Sequence, residues 1–491
     1  SKYEGISLND RCMQGPNLLN NLFEVLLRFR SGHYAVQADI QAMYNQVRIP
    51  MYDRDALRFL WYQDNRLVHL RMTSHLFGGV WCQSSSVYAL RRTITDFPNP
   101  PPLVAKAVLH CMYVDDCLMS VNERDEVKTL IHSLPKVLIS GGFLITKFVV
   151  NDASLVREIP AEHRAKEINL FSPDSESRAL GVIWNINQDV FRFKVKVVTE
   201  VSVVTRRYML KAVASFFDPL GLSLPWVITG KIMFQRATRL RLSWDDEVPT
   251  DIASEWFRWL QTLFHLRDLS FPRCVVPVGG YLEYHVFCDA SFAAYGACVY
   301  IRHVCIRGHV TVNLVAAKGH VTPIKTPTIP RMELQAAVVA VKLAEVVRKA
   351  LDQTMTPVFY WTDSMIVLGY ITNNTRRFRL FVSNRVSTIR SLSDSSDWRH
   401  VSGKDNPADL ITRPQTTFTQ SNTWHDGLDW LWSHNAFWTQ SGECVELHED
   451  DPEVIPCKVV VNAAATSDSN WIDPLRIIQN GWHCSEPLRG F

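Results

Sequence analysis

Tyr113-Val114-Asp115-Asp116 limits this chain more than any other stretch. Ala107 to Met112 before it is apolar apart from His110, and Cys117-Leu118-Met119-Ser120-Val121 follows. The pattern predicts two short buried strands joined by a tight turn, with adjacent carboxylates at the tip. Like charges this close repel, and buried strands seldom end in two bare acids unless something neutralises them. A divalent cation does so, and magnesium takes one or two carboxylates together with substrate phosphates. A solvated Asp-rich hairpin turn fits the four residues equally well, so the rest of the chain must supply a third acid.

The 491 residues are 47% apolar and 21% charged, which fits a globular protein of roughly three domains rather than a disordered one. Net charge is only +3, so any basic surface for nucleic acid must be local. The 11 cysteines form no CxxC pair and no zinc-spaced Cys/His cluster. They read as reduced thiols of an intracellular protein, cytoplasmic with possible nuclear access. No signal peptide or long apolar run is apparent. The start at Ser1-Lys2-Tyr3, without Met, fits a piece of a longer product.

Leu18, Leu19, Leu22, Val25, Leu26 and Phe29 make a helical stripe over Pro16 to Phe29. In Tyr34 to Ile40, Val36, Ala38 and Ile40 share one strand face and Gln37 and Asp39 the other. Asp39 is thus a strand-end acid aimed off the core and the candidate third carboxylate. Tyr44, five residues on, is either core or a ring placed to block a sugar 2′-hydroxyl. A hairpin around Asp64-Asn65, a helix opened by Phe77-Gly78-Gly79, a helix from Glu123 to Ile139 interrupted at Pro135, and a strand carrying Lys147 complete this part.

These residues, with Gly141-Gly142-Phe143-Leu144-Ile145-Thr146-Lys147, resemble the palm of a reverse transcriptase. "LLRFRSGHYAVQADIQAMYNQV" and "DALRFLW" resemble the BEL/Pao class of long-terminal-repeat retrotransposons. The resemblance implies that Asp39, Asp115 and Asp116 bind two Mg²⁺ ions (Mn²⁺ as substitute) and that Lys147 protonates the leaving group. It places Tyr44, Phe77, Gly78 and Tyr113 on the substrate side. Leu180-Gly181 then opens a primer-gripping hairpin that turns at Asn187-Gln188-Asp189. The fingers of such an enzyme precede the palm, and this chain starts almost at the palm; the expectation is polymerase activity impaired or absent. From Thr205 the pattern is helical, and Arg206, Arg207, Lys211, Lys231, Arg236, Arg239 and Arg241 form either a phosphate-facing surface or ordinary solvated faces. Phe217-Asp218-Pro219-Leu220-Gly221-Leu222 and "KIMFQ" are also BEL/Pao-like. The family's "Pao retrotransposon peptidase" label for this region lacks support, because no Asp-Ser/Thr-Gly tripeptide is present.

Past Tyr281 the order strand-strand-strand-helix-strand-helix-helix-strand-helix resembles ribonuclease H. "FCDASFAAYGACVYIR", "TIPRMELQAA", "YWTDSMIVLGY" and "WRHVSGKDNPADLITR" are close to the BEL/Pao form. Asp289 ends a strand, Glu333 starts a helix, Asp363 ends the fourth strand and Asp409 sits on the last helix. The resemblance implies that these four carboxylates hold two Mg²⁺ ions, one preparing a water and one stabilising the departing 3′-oxygen. His400 matches the family's mobile histidine, with a structural strand-end histidine as the alternative. Arg376, Arg377, Arg379, Arg385 and Arg390 either grip the DNA strand or form a solvated face. Trp424, Trp430, Trp432 and Trp438 suggest a small packed appendage or a linker, and His483-Cys484 is too little for an integrase zinc site.

The expected fold is therefore α/β (α+β). A palm over 1–152 leads to a primer-grip hairpin, thumb and connection over 153–275. A ribonuclease H-like mixed five-stranded sheet with helices over 276–416 and a Trp-rich tail over 417–491 follow. The expected function is RNA-directed DNA synthesis coupled to cleavage of RNA in RNA–DNA hybrids. The implied partners are an RNA template, a DNA primer, the hybrid, deoxynucleoside triphosphates and other Pol or Gag products of a polyprotein. The competing reading is an inactive or co-opted relic that binds nucleic acid or protein.

Overall fold

The structure, a computed structural model, describes residues 2–165, 175–195, 203–325, 327–413, 422–434, 438, 446–447 and 450–456. Its first sheet has four antiparallel strands in the order Met112–Tyr113, Asp116–Val121, Tyr34–Ile40, Ile145–Val150. Alternation sorts the central strand. Val36, Ala38 and Ile40 pack with residues of the helices Cys82–Asp96, Pro102–His110 and Arg124–Ser140. Ala35 joins the core on the other face, where Gln37 and Asp39 stay half-buried.

Three local expectations change. Ala107–His110 closes the helix Pro102–His110, and only Met112–Tyr113 pairs as strand before the turn. A short apolar run is equally a buried strand or a buried helix; here Pro102 at the first helical position sets the helix. The first long helix starts at Leu22 rather than Pro16, because Asn21 caps it by accepting the Phe23 N–H at 2.9 Å. The helix Arg124–Ser140 runs through Pro135 without a break. Pro135 forfeits one backbone bond, yet Ile131, Leu134, Val137 and Leu138 stay buried around it and hold the helix.

A second antiparallel sheet runs Ser270–Pro272, Val190–Arg192, Val182–Asn185, Glu176–Ala179. Ser177 Oγ donates to Gln37 Oε1 at 2.8 Å, which seats this sheet against the Asp39 strand. The helices Arg206–Ser215, Leu224–Arg239 and Thr250–Phe264 follow, with Trp256 and Trp259 buried and their rings 4.5 Å apart. In the Phe217–Leu222 loop, the Asp218 carboxylate accepts the Leu222 and Ser223 N–H groups at 3.0 and 2.6 Å. Leu220 O accepts from Ala317 N at 2.9 Å, and Gly221, at φ +73°, passes so close to Ala317 O that no Cβ fits. The loop is thereby fastened to the strand Val310–Val321.

That strand edges a mixed five-stranded sheet, in order Val310–Val321, Ala294–Val304, Tyr281–Ala290, Val358–Thr362, Trp398–His400; the first three are antiparallel and the last two join in parallel. The helix Ile329–Ala350 packs on the Ala294–Val304 and Tyr281–Ala290 strands. The Trp-rich segment resolves as packed cover rather than linker over 422–434 and 438. Trp424 and Trp438 are buried, Trp430 lies 4.8 Å from Trp361, and Arg302, buried and paired with Glu283, donates to the Leu431 and Ser433 carbonyls at 2.7 Å each. The remainder of the expected tail, with His483-Cys484, lies outside the described residues.

Two fully buried guanidinium groups weld the parts together. Arg273 Nε and Nη2 donate to the Asp189 carboxylate at 2.6 and 2.7 Å, and its other bonds reach Phe29 O and His33 O at 2.6 and 2.9 Å. Arg30 donates to Arg273 O at 3.3 Å, Pro272 O at 2.8 Å, Leu314 O at 3.0 Å and Val315 O. Burial, then the neighbouring Arg273 charge, pull Arg30 down to about 9. No helix among the described residues is long and apolar enough to cross a membrane.

Candidate active sites

The first candidate site forms where the Tyr34–Ile40 and Asp116–Val121 strands end. Asp39 and Asp116 are direct cross-strand partners, and Asp115 O accepts the Ile40 N–H at 2.8 Å. The hairpin turns on Val114 at φ +56°, a strained conformation for a β-branched residue that the surrounding pairs enforce. Burial, followed by the Asp115 and Asp39 charges, pushes Asp116 up to about 7. Burial and Asp39 also raise Asp115. Pairing between Tyr34–Ile40 and Ile145–Val150 slips between Gln37 and Asp39, opposite Lys147 at φ +56°. This bulge aims Lys147 Nζ to 3.2 Å from Asp39 Oδ1.

In the second site, the parallel pairing of Cys288 with Thr362 puts Asp289 and Asp363 side by side at adjacent strand ends. Asn406 Nδ2 donates to Cys288 O at 3.0 Å and Asn406 O accepts the Asp409 N–H at 3.0 Å, seating the helix Asp409–Thr412 against that end. Thr412 Oγ1 donates to Asp289 Oδ2, Ser364 Oγ to Glu333 Oε2, and Arg413 Nε to Asp409 Oδ1 at 2.6 Å. Burial pushes Asp289 up to about 7, with Asp363 and Asp409 adding to it. Burial and then Asp363 raise Glu333. Asp363 is raised by burial and Asp409, while His400 and Arg413 oppose the rise. All four acids and His400 therefore meet electrostatically around Asp363.

Among the described residues, no three His, Cys, Asp or Glu side chains already converge as metal ligands would. Asp39, Asp289, Glu333 and Asp409 are turned instead to Lys147, Thr412, Ser364 and Arg413. The donor set still fits a hard divalent cation: every ligand is a carboxylate oxygen, and Asp363 Oδ1 is buried without a hydrogen-bond partner. Lys147 and Arg413 mark where positive charge is attracted at the two sites.

The other expected contacts divide. Tyr44 and Phe77 meet edge to face, ring centroids 5.2 Å apart, and burial followed by the Asp115 charge raises the Tyr44 hydroxyl; Tyr44 therefore lies beside the acids. Gly78 O accepts from Asn9 Nδ2 at 2.8 Å, and Tyr113 pairs with Asp116. Leu180 and Gly181 form the turn between Glu176–Ala179 and Val182–Asn185, against Phe217. The expected phosphate-facing surface loses four members to internal contacts. Arg206 lies over Trp244, Arg207 pairs with Asp245, Arg236 with Asp251 and Glu255, and Arg239 bonds Gln235. Arg385 and Arg390 are likewise spent, on Gln335 and on the Ile371 and Asn373 carbonyls.

Sequence reasoning missed Ser364, Thr412 and Arg413. Ser364 had a readable signal, since it caps the helix Met365–Thr372 by accepting the Val367 N–H at 3.3 Å. Arg413 stands four residues after Asp409 on one helical turn.

Residues 205–364 match the model of the Pao retrotransposon-like RNaseH-like domain. No curated protein matches the chain significantly. A foamy viral protease-reverse transcriptase in complex with an RNA/DNA hybrid aligns at 14% identity and TM-score 0.47, covering 82% of this chain and 48% of that one. The foamy viral protease-reverse transcriptase dRH in complex with double-stranded DNA aligns at 13% identity and TM-score 0.49, covering 79% and 60%. The chain thus spans about half the length of the first. The helices from Thr205, whose peptidase label the missing tripeptide already opposed, are matched together with the sheet up to Asp363-Ser364 as an RNaseH-like domain.

Proposed function

We propose that this chain is the reverse transcriptase–ribonuclease H part of a retroelement Pol product, and that its principal activity is cleavage of RNA in RNA–DNA hybrids. The observation that carries the proposal is the meeting of Asp289, Glu333, Asp363 and Asp409, from four separate elements, around a buried and unpartnered Asp363 oxygen. Asp39, Asp115 and Asp116 support a polymerase palm in the same way. On this reading the units are a palm to about residue 152, a primer-grip and helical connection to 275, and a ribonuclease H unit to 416. The substrates are the RNA template, DNA primer, hybrid and deoxynucleoside triphosphates.

The four acids of the second site would hold Mg²⁺, with Mn²⁺ as substitute, and Asp39, Asp115 and Asp116 would hold it at the first. When bound, such ions supply the positive charge that acidifies an attacking water or 3′-hydroxyl and stabilises the leaving oxygen. The chain's own side chains prepare for this. Burial raises Asp289 and Asp116 to about 7, and a bound cation would favour the ionised form that burial opposes. Ser364 and Thr412 fix the rotamers of Glu333 and Asp289. His400, exposed at its strand end beside Asp363, is placed to exchange protons between the site and solvent. Tyr44 beside Asp115 is placed to press on a sugar 2′ position.

The test incubates the full chain with an end-labelled RNA–DNA hybrid and Mg²⁺, beside Asp363→Asn. Cleavage of the RNA strand by the wild type, lost in the variant, supports the nuclease. Intact RNA in both favours a non-catalytic nucleic-acid-binding relic.

A further inference from the structure

Far past the ribonuclease H-like fold, the acidic stretch Asp450-Asp451-Pro452-Glu453-Val454-Ile455 returns to it. It lies as an extra strand along the Arg376-Arg377-Phe378-Arg379 loop. Arg379 N donates to Glu453 O and Ile455 N to Arg377 O, both at 2.8 Å, and Phe378 and Val454 form an antiparallel bridge. Glu453, only 6% exposed, takes Arg331 Nε at 2.6 Å on one carboxylate oxygen, while its other oxygen is buried without a partner. The Asp451 carboxylate accepts the Tyr370 hydroxyl at 2.9 Å. Arg331 lies in the first turn of the helix that carries Glu333, and Arg331 and Arg385 lie at 4.9 and 3.4 Å over the Phe381 ring. Beside the strand, Arg376, Arg377, Arg390, Ser387 and Ile455 line a cleft of about 700 Å³.

Glu453 is thus paired with Arg331 and Asp451 with Tyr370, on a face that also carries Arg376, Arg377 and Arg379. A half-satisfied buried carboxylate is an expensive anchor, because its desolvation is only partly offset. A nucleic-acid backbone is a stronger polyanion, and its row of phosphates would meet Arg331 together with the neighbouring Arg376 and Arg377. We infer that residues 450–455 are a built-in phosphate mimic, which occupies the arginine face of the free chain and must lift for the phosphate backbone of a nucleic acid to dock there. This inference rests on the proposed nucleic-acid function and adds a self-competing element to it.

The test compares binding of a fluorescent RNA–DNA hybrid, by anisotropy in Ca²⁺ to prevent turnover, for wild type and the full-length double variant Asp451→Asn/Glu453→Gln. Asp125→Asn/Glu158→Gln, with acids removed from the first unit, controls for net charge. The inference expects the segment variant alone to bind more tightly, by roughly fivefold or more, with a steeper salt dependence. Saturating hybrid should also speed hydrogen exchange at the Arg379 and Ile455 amides of the wild type, a change that altered folding of the variant cannot imitate. Hybrid bound equally by all three proteins, with no change in exchange, overturns the inference and leaves the nuclease reading standing. Hybrid bound by none overturns both.

Discussion

Replacing Asp289 with Asn should stabilise the protein in the absence of divalent ions while removing nuclease activity. Asp289 titrates near 7 in the folded chain against 3.8 for an unperturbed Asp. The difference of about 3, at about 1.36 kcal/mol for each, gives about 4 kcal/mol as the upper bound on what ionising this buried carboxylate costs the fold. Because the folded value is raised, the folded state holds its proton more tightly than the unfolded one. The associated stability is complete below pH 4 and is lost as pH rises towards 7. Asn keeps an acceptor for the Thr412 hydroxyl and never ionises, so it escapes this loss. Urea denaturation in EDTA should show the variant about 2–4 kcal/mol more stable than wild type at pH 8 and indistinguishable from it near pH 4. Mg²⁺ should narrow the gap at pH 8, since binding stabilises only the chain that can hold the ion. Equal stability at pH 8, or an advantage independent of pH, refutes the claim that burial, aided by the Asp363 and Asp409 charges, holds Asp289 above its ordinary value.

Other substitutions probe the supports around the sites. Arg273→Met should cost about 3–5 kcal/mol in the same denaturation assay, because Asp189 loses its buried partner and the Phe29 and His33 carbonyls lose donors; a loss below about 1 kcal/mol would show the junction to be dispensable. Ser364→Ala should leave stability within about 1 kcal/mol but raise the Mg²⁺ concentration needed for half-maximal cleavage, and saturating Mg²⁺ should restore the rate. Gly181→Ala, at φ +91° with its new methyl 2.8 Å from the Phe217 ring, should cost about 1–3 kcal/mol and lower the midpoint of thermal unfolding.

The acids were legible because chemistry and position coincided. Strand alternation placed Asp39, and local patterning placed Asp289, Glu333, Asp363 and Asp409 near element ends, while the resemblance alone singled these four out. The first, second and fourth strands of the five-stranded sheet were legible as largely apolar runs, whereas Trp398–His400 is too short and polar for pattern alone. Ala107–His110 was not, since period alone leaves so short an apolar run undecided. Pro135 misled because tertiary burial of Leu134 and Leu138 outweighs one lost hydrogen bond. The Arg30–Arg273–Asp189 junction joins residues more than 80 positions apart, and no local pattern encodes such a contact. The arginines of the 206–241 stretch looked available for phosphate because their acidic partners, Asp245, Asp251 and Glu255, lie on later turns and helices.

The central claim is that two separate carboxylate groups each take up divalent cations. Titrating Mn²⁺ into the protein and following the free ion by electron paramagnetic resonance tests it directly. The account predicts two classes of site in the wild type, one abolished by Asp363→Asn with the other kept, and the reverse for Asp116→Asn. Identical Mn²⁺ uptake by all three proteins, or none by any, contradicts it.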